Sequence, residues 1–336
     1  MMTTLQEAVV QPGADPGRVC PLRYRYGARA IAACPPQPAR TLYVIGGLYG
    51  NRAALDAILA LAAAEPGPVR LCFNGDFNWF NVDDDGFAAI NEAVLAHDAT
   101  LGNVEAELFA DDAGAGCGCA YPDTVEAAVV ERSNRIHARL KRTAAGHPRL
   151  LARLSALPMV RRYEVGGARI GVVHGDADAL AGWRFDGATL DDDGNLGWLE
   201  QAFMDAEVDV FASSHTCLPA LRVWPGEGRA RAVVNNGAAG MPNFRGTHHG
   251  VITRIGVAAA PGEILYGTRL AGVHVDALAV PYETTRWMRE FLANWPPGSD
   301  AHASYHARIM DGPAHGLDAA AGRHAKGIPD GAQAYA

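Results

Sequence analysis

Apolar and polar positions change their pattern near residue 40 and again near residue 312. Residues 1–40 carry Pro12, Pro16, Pro21, Pro35, Pro36 and Pro38. Proline interrupts helices and central strands, so this stretch predicts an extended N-terminal arm. Within it, Arg23-Tyr24-Arg25-Tyr26 alternates and predicts a short edge strand. Thr41–Ile45 is a short apolar run closed by Gly46-Gly47, the pattern of a strand buried on both faces. Leu55, Ile58, Leu59 and Ala62 then recur at helical spacing behind Asn51, a residue suited to an N-cap. Pro66-Gly67-Pro68 ends that helix and Val69–Phe73 begins the next strand. Strand, helix and strand in this order predict a parallel crossover.

Further strands are expected at Arg169–His174, Val208–Ser213, Ala230–Asn235 and Gly250–Ile255, with a short run at 99–101. Helical spacing recurs at 86–97, 124–143, 148–156, 195–206 and 282–294. Elements alternate in the first half, and strands dominate the second. This predicts an α/β sandwich with mixed sheets, not an all-parallel domain. The main body is expected over residues 41–280. A C-terminal helical segment, 281–311, carries Trp287, Phe291 and Trp295 four apart, a stripe suited to packing on the core. Residues 312–336 are rich in Gly, Ala and His without periodicity and predict a loosely ordered tail.

Composition narrows the function classes. The chain has 336 residues, 49% apolar and 20% charged, which excludes pervasive disorder and allows a sizeable core. The formal charge of −8 argues against nucleic acid as a partner, since that needs a basic footprint. A small phosphorylated ligand stays compatible with it. Six scattered cysteines do not make a disulfide scaffold. No apolar run reaches the ~18–20 residues of a membrane helix, and no secretory pattern opens the chain. A cytoplasmic protein with reduced thiols is therefore expected. The N-terminal arm is long enough to reach a neighbour, so a homo-oligomer is compatible with the sequence.

Polar residues stand just beyond the expected strands: Asn74-Gly75-Asp76, Gly102-Asn103-Val104-Glu105, His174-Gly175-Asp176, Ser213-Ser214-His215-Thr216-Cys217 and Asn235-Asn236-Gly237. Open α/β sheets bind ligands at the carboxyl ends of their strands, so these ends point to one shared site. Asp76, Asn103, His174 and His215 make a mixed oxygen and nitrogen set. Such a set suits a divalent transition metal, Mn, Fe, Zn or Co, better than Ca or Mg.

The order of these fragments resembles the calcineurin-like metallophosphoesterase superfamily, from about residue 41 to 256. That family is identified by D-x-H, G-D, G-N-H-D/E, a lone His before Gly, and G-H-T-H. The corresponding stretches here are Gly47-Leu48-Tyr49-Gly50-Asn51, Gly75-Asp76, Gly102–Glu105, His174-Gly175 and Ser214–Cys217. The resemblance implies a four-layer αββα sandwich with two mixed β-sheets, and hydrolysis of a phosphomonoester or phosphodiester. It also implies that Asp76, Asn103, His174 and His215 keep the second metal site of the family.

The departures fall elsewhere. Gly47 and Tyr49 stand where the family has Asp and His, and Cys217 replaces a His that also holds the first metal. Val104 replaces the His that assists the leaving group, so no catalytic side chain is assigned. One metal site is expected, with the second doubtful. A thiolate at Cys217 would be a further ligand favouring Zn or Fe.

Other features have plainer readings beside functional ones. Tyr49 either contacts a ligand or fills the vacated pocket. Asn51 and Arg245 are candidate substrate contacts, Arg245 for a phosphate oxygen, although its loop with His248 and His249 also reads as solvent-exposed. Asp83–Asp85 and Asp191–Asp193 lack metal-loop spacing and read as solvated turns. Cys117-Gly118-Cys119 lies in a glycine-rich loop, either as incidental thiols or with a thiolate that reaches the vacated metal pocket or forms a redox pair with Cys217. Two functions stay open: a metal-dependent phosphoesterase with a remodelled site, or a catalytically silent relative binding a phosphorylated ligand or a protein partner. Thiol chemistry at Cys117, Cys119 and Cys217 is a third, and it leaves the four ligands unexplained.

Overall fold

In the computed structural model, Thr41–Ile45 is a strand whose five residues are all buried, as the apolar run predicted. The residues described are 15–110, 114–226, 228–322 and 334–335. Their strands are Gln37–Ala39 (β1), Thr41–Ile45 (β2), Val69–Asn74 (β3), Asp98–Thr100 (β4), Val160–Val165 (β5), Ala168–Val173 (β6) and Val210–Ser213 (β7). Pro219–Trp224 (β8), Arg231–Asn236 (β9), Gly250–Gly256 (β10), Ile264–Leu270 (β11), Val273–Val280 (β12) and Ala334–Tyr335 (β13) follow. One sheet has the order β1-β5-β6-β7-β9-β8 and the other β13-β11-β12-β10-β2-β3-β4. Both are mixed: β2, β3 and β4 run parallel, as do β6, β7 and β9, and antiparallel strands flank them.

Alternation along the strands builds the layers. Leu42 and Val44 of β2 meet Ile170 and Val172 of β6 and Val210 and Ala212 of β7 in the core between the sheets. Tyr43 and Ile45 point the other way, into a core shared with helices Arg52–Ala63, Asp84–Val94 and Ala127–Ala145. Phe211 and Val233 point away from the inter-sheet core, toward helix Leu196–Ala206. The result is the expected four-layer αββα sandwich.

Helix Arg52–Ala63 begins as predicted: the Asn51 side chain accepts a hydrogen bond from Ala54 N–H at 2.9 Å. It carries the chain from β2 to β3, which pair in parallel from Thr41–Val69 to Ile45–Phe73.

Of the N-terminal stretch, residues 1–14 lie outside the described residues, and the remainder departs from its reading as an edge strand. Leu22–Tyr24 is a 3-10 turn, Ala28–Ala32 a short helix, and Arg25 makes only a single bridge to Ala179. The alternation at 23–26 encodes one buried and one half-buried aromatic and not a ladder. Tyr24 is fully buried with its hydroxyl on the Glu107 carboxylate, and the Tyr26 hydroxyl donates to Asp176 O at 2.6 Å. Residues 281–311 hold helices Thr284–Asn294 and Asp300–Asp311. Trp287, Phe291 and Trp295 are buried, with Phe291 edge-on to Phe80 at 5.2 Å. Of the stretch 312–336, Leu317–Ala321 is helical and β13 pairs with β11, while 323–333 and 336 lie outside the described residues. No helix among the described residues is long and apolar enough to cross a membrane.

Candidate metal centre

The parallel strands of both sheets end on the same side. β3 leads into Asp76, β4 into Asn103, β6 into His174 and β7 into His215. The turn after β3 is unusually tight. Gly75 and Asp76 both have left-handed backbones, φ +75° and +55°. A Cβ on Gly75 would lie 2.5 Å from the Gly102 Cα, so the two loops meet backbone to backbone and need glycine there. Glu105, fully buried, holds this turn. Its carboxylate accepts from Asp76 N–H at 2.7 Å, Phe77 N–H at 3.1 Å and Asn78 N–H at 3.2 Å. Burial, and next the charge of Asp76, push Glu105 up to about 7.

Four buried atoms converge. His174 Nε2 lies 3.3 Å from Asp76 Oδ2, 3.2 Å from Asn103 Oδ1 and 3.3 Å from His215 Nδ1. The groups that could donate are committed elsewhere. His174 Nδ1 faces Asn74 O at 2.8 Å, His215 Nε2 faces Cys119 O at 3.0 Å, and Asn103 Nδ2 donates to Cys117 O at 3.0 Å. A nitrogen facing a carbonyl must carry the proton. In their neutral forms the imidazoles therefore present their other nitrogens as lone pairs, beside two oxygen acceptors. Such a cluster could hold a cation among its atoms. Asp76, His174 and His215 form a group whose candidate ligand atoms all lie within 4.8 Å of one another.

The electrostatics agree. Burial opposes charge on Asp76 and on His174, but their mutual attraction prevails. Asp76 is held below the usual carboxylate range and His174 above the usual imidazole range. Burial and the charge on His174 push His215 down to about 3.

The other side of the site is different. A Cβ on Gly47, whose φ is +65°, would lie 2.9 Å from Tyr49 Cζ, so the phenol ring occupies the space a side chain at 47 would use. The Tyr49 hydroxyl and Cys217 Sγ are hydrogen-bonded at 2.9 Å. Burial raises both above their usual values, so they stand as a neutral phenol and a neutral thiol. Cys217, expected as a possible ligand, is bonded to Tyr49 and to His215 O at 3.2 Å and is not part of the acceptor cluster.

No family model matches the chain, and no curated protein matches it. Solved structures do. The metallophosphoesterase from Sphaerobacter thermophilus aligns over 82% of this chain and 100% of its own, at 15% identity and a TM-score of 0.51. The hypothetical protein PH1004 from Pyrococcus horikoshii OT3 aligns over 82% and 99%, at 15% identity and a TM-score of 0.53. This chain has the metallophosphoesterase fold.

Within that fold the remaining expected residues separate. Asn51 is buried and its amide is spent on the backbone, Oδ1 on Ala54 N–H and Nδ2 on Gly240 O at 3.0 Å, which is a structural role. Arg245 is exposed and does not line the cavity beside the cluster. Val104 lies at the cavity, and its N–H donates to Asp76 Oδ1 at 3.1 Å. His137, buried and pushed down to about 4 by burial, turns its Nε2 to Val104 O at 2.9 Å. The triplet aspartates serve locally: Asp83 caps helix Asp84–Val94, Asp192 caps a 3-10 turn, and Asp191 pairs with Arg222 at 2.5 Å.

A cavity of about 430 Å³ opens over the cluster, lined in part by Tyr49, Asp76, Asn103 and His215. A larger hollow of about 670 Å³ lies at the opposite ends of β2, β3 and β4 and has no such cluster. Sequence reasoning missed several cavity residues. Trp183 donates from Nε1 to Cys119 O at 3.0 Å and stands edge-on to His215 at 5.2 Å. Arg308 comes from helix Asp300–Asp311. No local motif marks either. Cys117 and Cys119, read as thiols, form a disulfide in a loop where Gly116 and Gly118 have left-handed backbones. The loop's carbonyls carry Asn103 and His215, which ties it to the site.

Proposed function

We propose that the protein is a metal-dependent phosphoesterase with a remodelled, single-metal site, acting on a small phosphomonoester or phosphodiester. One observation carries the reading. Four buried acceptor atoms, from Asp76, Asn103, His174 and His215, converge while their donor atoms are turned to carbonyls. The oxygen and nitrogen donors suit Mn, Fe, Zn or Co. A divalent cation held there would act as a Lewis acid toward a phosphoryl oxygen. Around it, Glu105 fixes the Asp76 turn, and the Asn74 and Cys119 carbonyls fix the imidazole tautomers. Val104 offers no proton, so the leaving oxygen takes its proton from water. Turnover is then expected to fall steeply as the leaving group becomes more basic. A net charge of −8 and a cavity of about 430 Å³ favour a small ligand over a nucleic acid.

The test is hydrolysis of 4-nitrophenyl phosphate and bis(4-nitrophenyl) phosphate by protein loaded with each of the four metals. His174→Ala and His215→Ala are expected to lower turnover by about 100-fold or more. Variants matching wild type on every ester would sink the proposal. The neutral Tyr49–Cys217 pair favours a second reading, a silent relative that binds a phosphorylated ligand. Metal binding and phosphate binding without hydrolysis of any ester would select it.

A further inference from the structure

We propose, building on the phosphoester reading, that the cavity receives a phosphoester bearing a planar ring, with Arg308 and Arg132 taking the phosphate charge. One end of the cavity is the acceptor cluster and its walls include Tyr121, Trp183 and Tyr305. The ring wall begins at the cluster itself, since Trp183 stands edge-on to His215, and Tyr121 lies 6.1 Å from Trp183 at 46°. All three aromatic side chains are only partly buried, so their surfaces are open to a ligand. Planar rings stack on such surfaces regardless of their substituents.

The two arginines supply the opposite preference. Arg308 donates from Nη2 to Cys217 O at 2.6 Å and from Nε to Pro242 O at 3.3 Å, and Arg132 from Nε to Ser304 Oγ at 2.7 Å. These partners are neutral. Arg169, Arg222 and Arg254 each pair with a carboxylate, but among the described residues no carboxylate pairs with Arg132 or Arg308. Two partly buried guanidiniums without a carboxylate pair among the described residues, lining the same cavity as the acceptor cluster, favour an anion, and phosphate matches their planar fork. Arg308 also stands against Cys217, on the side where Gly47 and Tyr49 leave no ligand set for a second metal. A fixed guanidinium thus provides positive charge there.

Calorimetric titration of the metal-loaded protein with methylphosphonate, benzylphosphonate and cyclohexylmethylphosphonate tests this. Benzylphosphonate is expected to bind about tenfold or more tightly than methylphosphonate, with the non-planar cyclohexyl compound well short of it. Trp183→Leu should lose most of that preference, and Trp183→Phe, which keeps a ring, should retain it. Arg308→Gln should weaken both the methyl and benzyl ligands about tenfold, and Arg308→Lys should recover part of the loss. Equal affinity for methyl- and benzylphosphonate in the wild type overturns the ring assignment and leaves the phosphoester reading standing. Failure of all three to bind with metal present overturns both. An unchanged Arg308→Gln protein overturns the role of that residue.

Discussion

Asp76, Asn103, His174 and His215 were legible in the sequence because each lies just beyond a strand, and strand ends in an α/β sheet share one edge. Their partners were not. Glu105 looks like any first-turn glutamate until its carboxylate is found under three backbone N–H groups. Arg308 and Trp183 reach the cavity from segments with no motif at all. At this scale the neutral pairing of Tyr49 with Cys217 makes a sharp prediction. Tyr49→Phe and Cys217→Ser should leave metal content unchanged, because neither side chain faces the cluster as a ligand. Elemental analysis of the two variants checks it, and loss of metal in Cys217→Ser would return the thiol to the ligand set. Glu105→Gln should instead lower metal affinity by about 10–100-fold, the usual effect of disturbing what orients a ligand. Competition titration against a chelator measures this, and an unchanged affinity would remove Glu105 from the account.

Among the elements, those with a strong period appeared where expected. β2, β3, β6, β7, β9 and β10 match their apolar runs, and helices Arg52–Ala63 and Leu196–Ala206 match their spacing. β1, β5, β8, β11, β12 and β13 were missed. Val160–Val165 shows why: Arg161, Arg162 and Glu164 interrupt its apolar residues, and an antiparallel strand with one drier face need not look apolar. The loop holding Cys117 and Cys119 was legible as a glycine-rich segment, but its two carbonyls on Asn103 and His215 are visible only in three dimensions. Cys117→Ser/Cys119→Ser should therefore weaken metal binding by about tenfold or more while the fold persists. Metal titration followed with circular dichroism would show it. Unchanged affinity would mean that the loop holds its carbonyls without the bridge.

For the whole molecule, a buried ion pair joins the helical layer to the second sheet. Arg254 of β10 reaches Glu65 at 2.5 and 3.0 Å and Asp276 of β12 at 3.3 Å, all fully buried. Burial alone would raise Glu65, but hydrogen bonds from Arg254 and Tyr43 outweigh it and hold its carboxyl below the usual range. A depressed carboxyl adds stability above its unfolded pKa, near ~4.3, and loses it as the pH falls through the folded value. Glu65→Gln should thus cost about 3 kcal/mol at neutral pH, and the gap should narrow in acid. Urea unfolding of both proteins across that range checks the sign, and a gap that widens in acid would contradict it. The central claim concerns a different cluster, the four converging acceptors. Metal content per chain, measured on protein purified without chelator, tests it most directly in wild type and His215→Ala. About one first-row metal in wild type, lost in the variant, is the predicted result. No metal in wild type even after reconstitution, or full retention in His215→Ala, would contradict it.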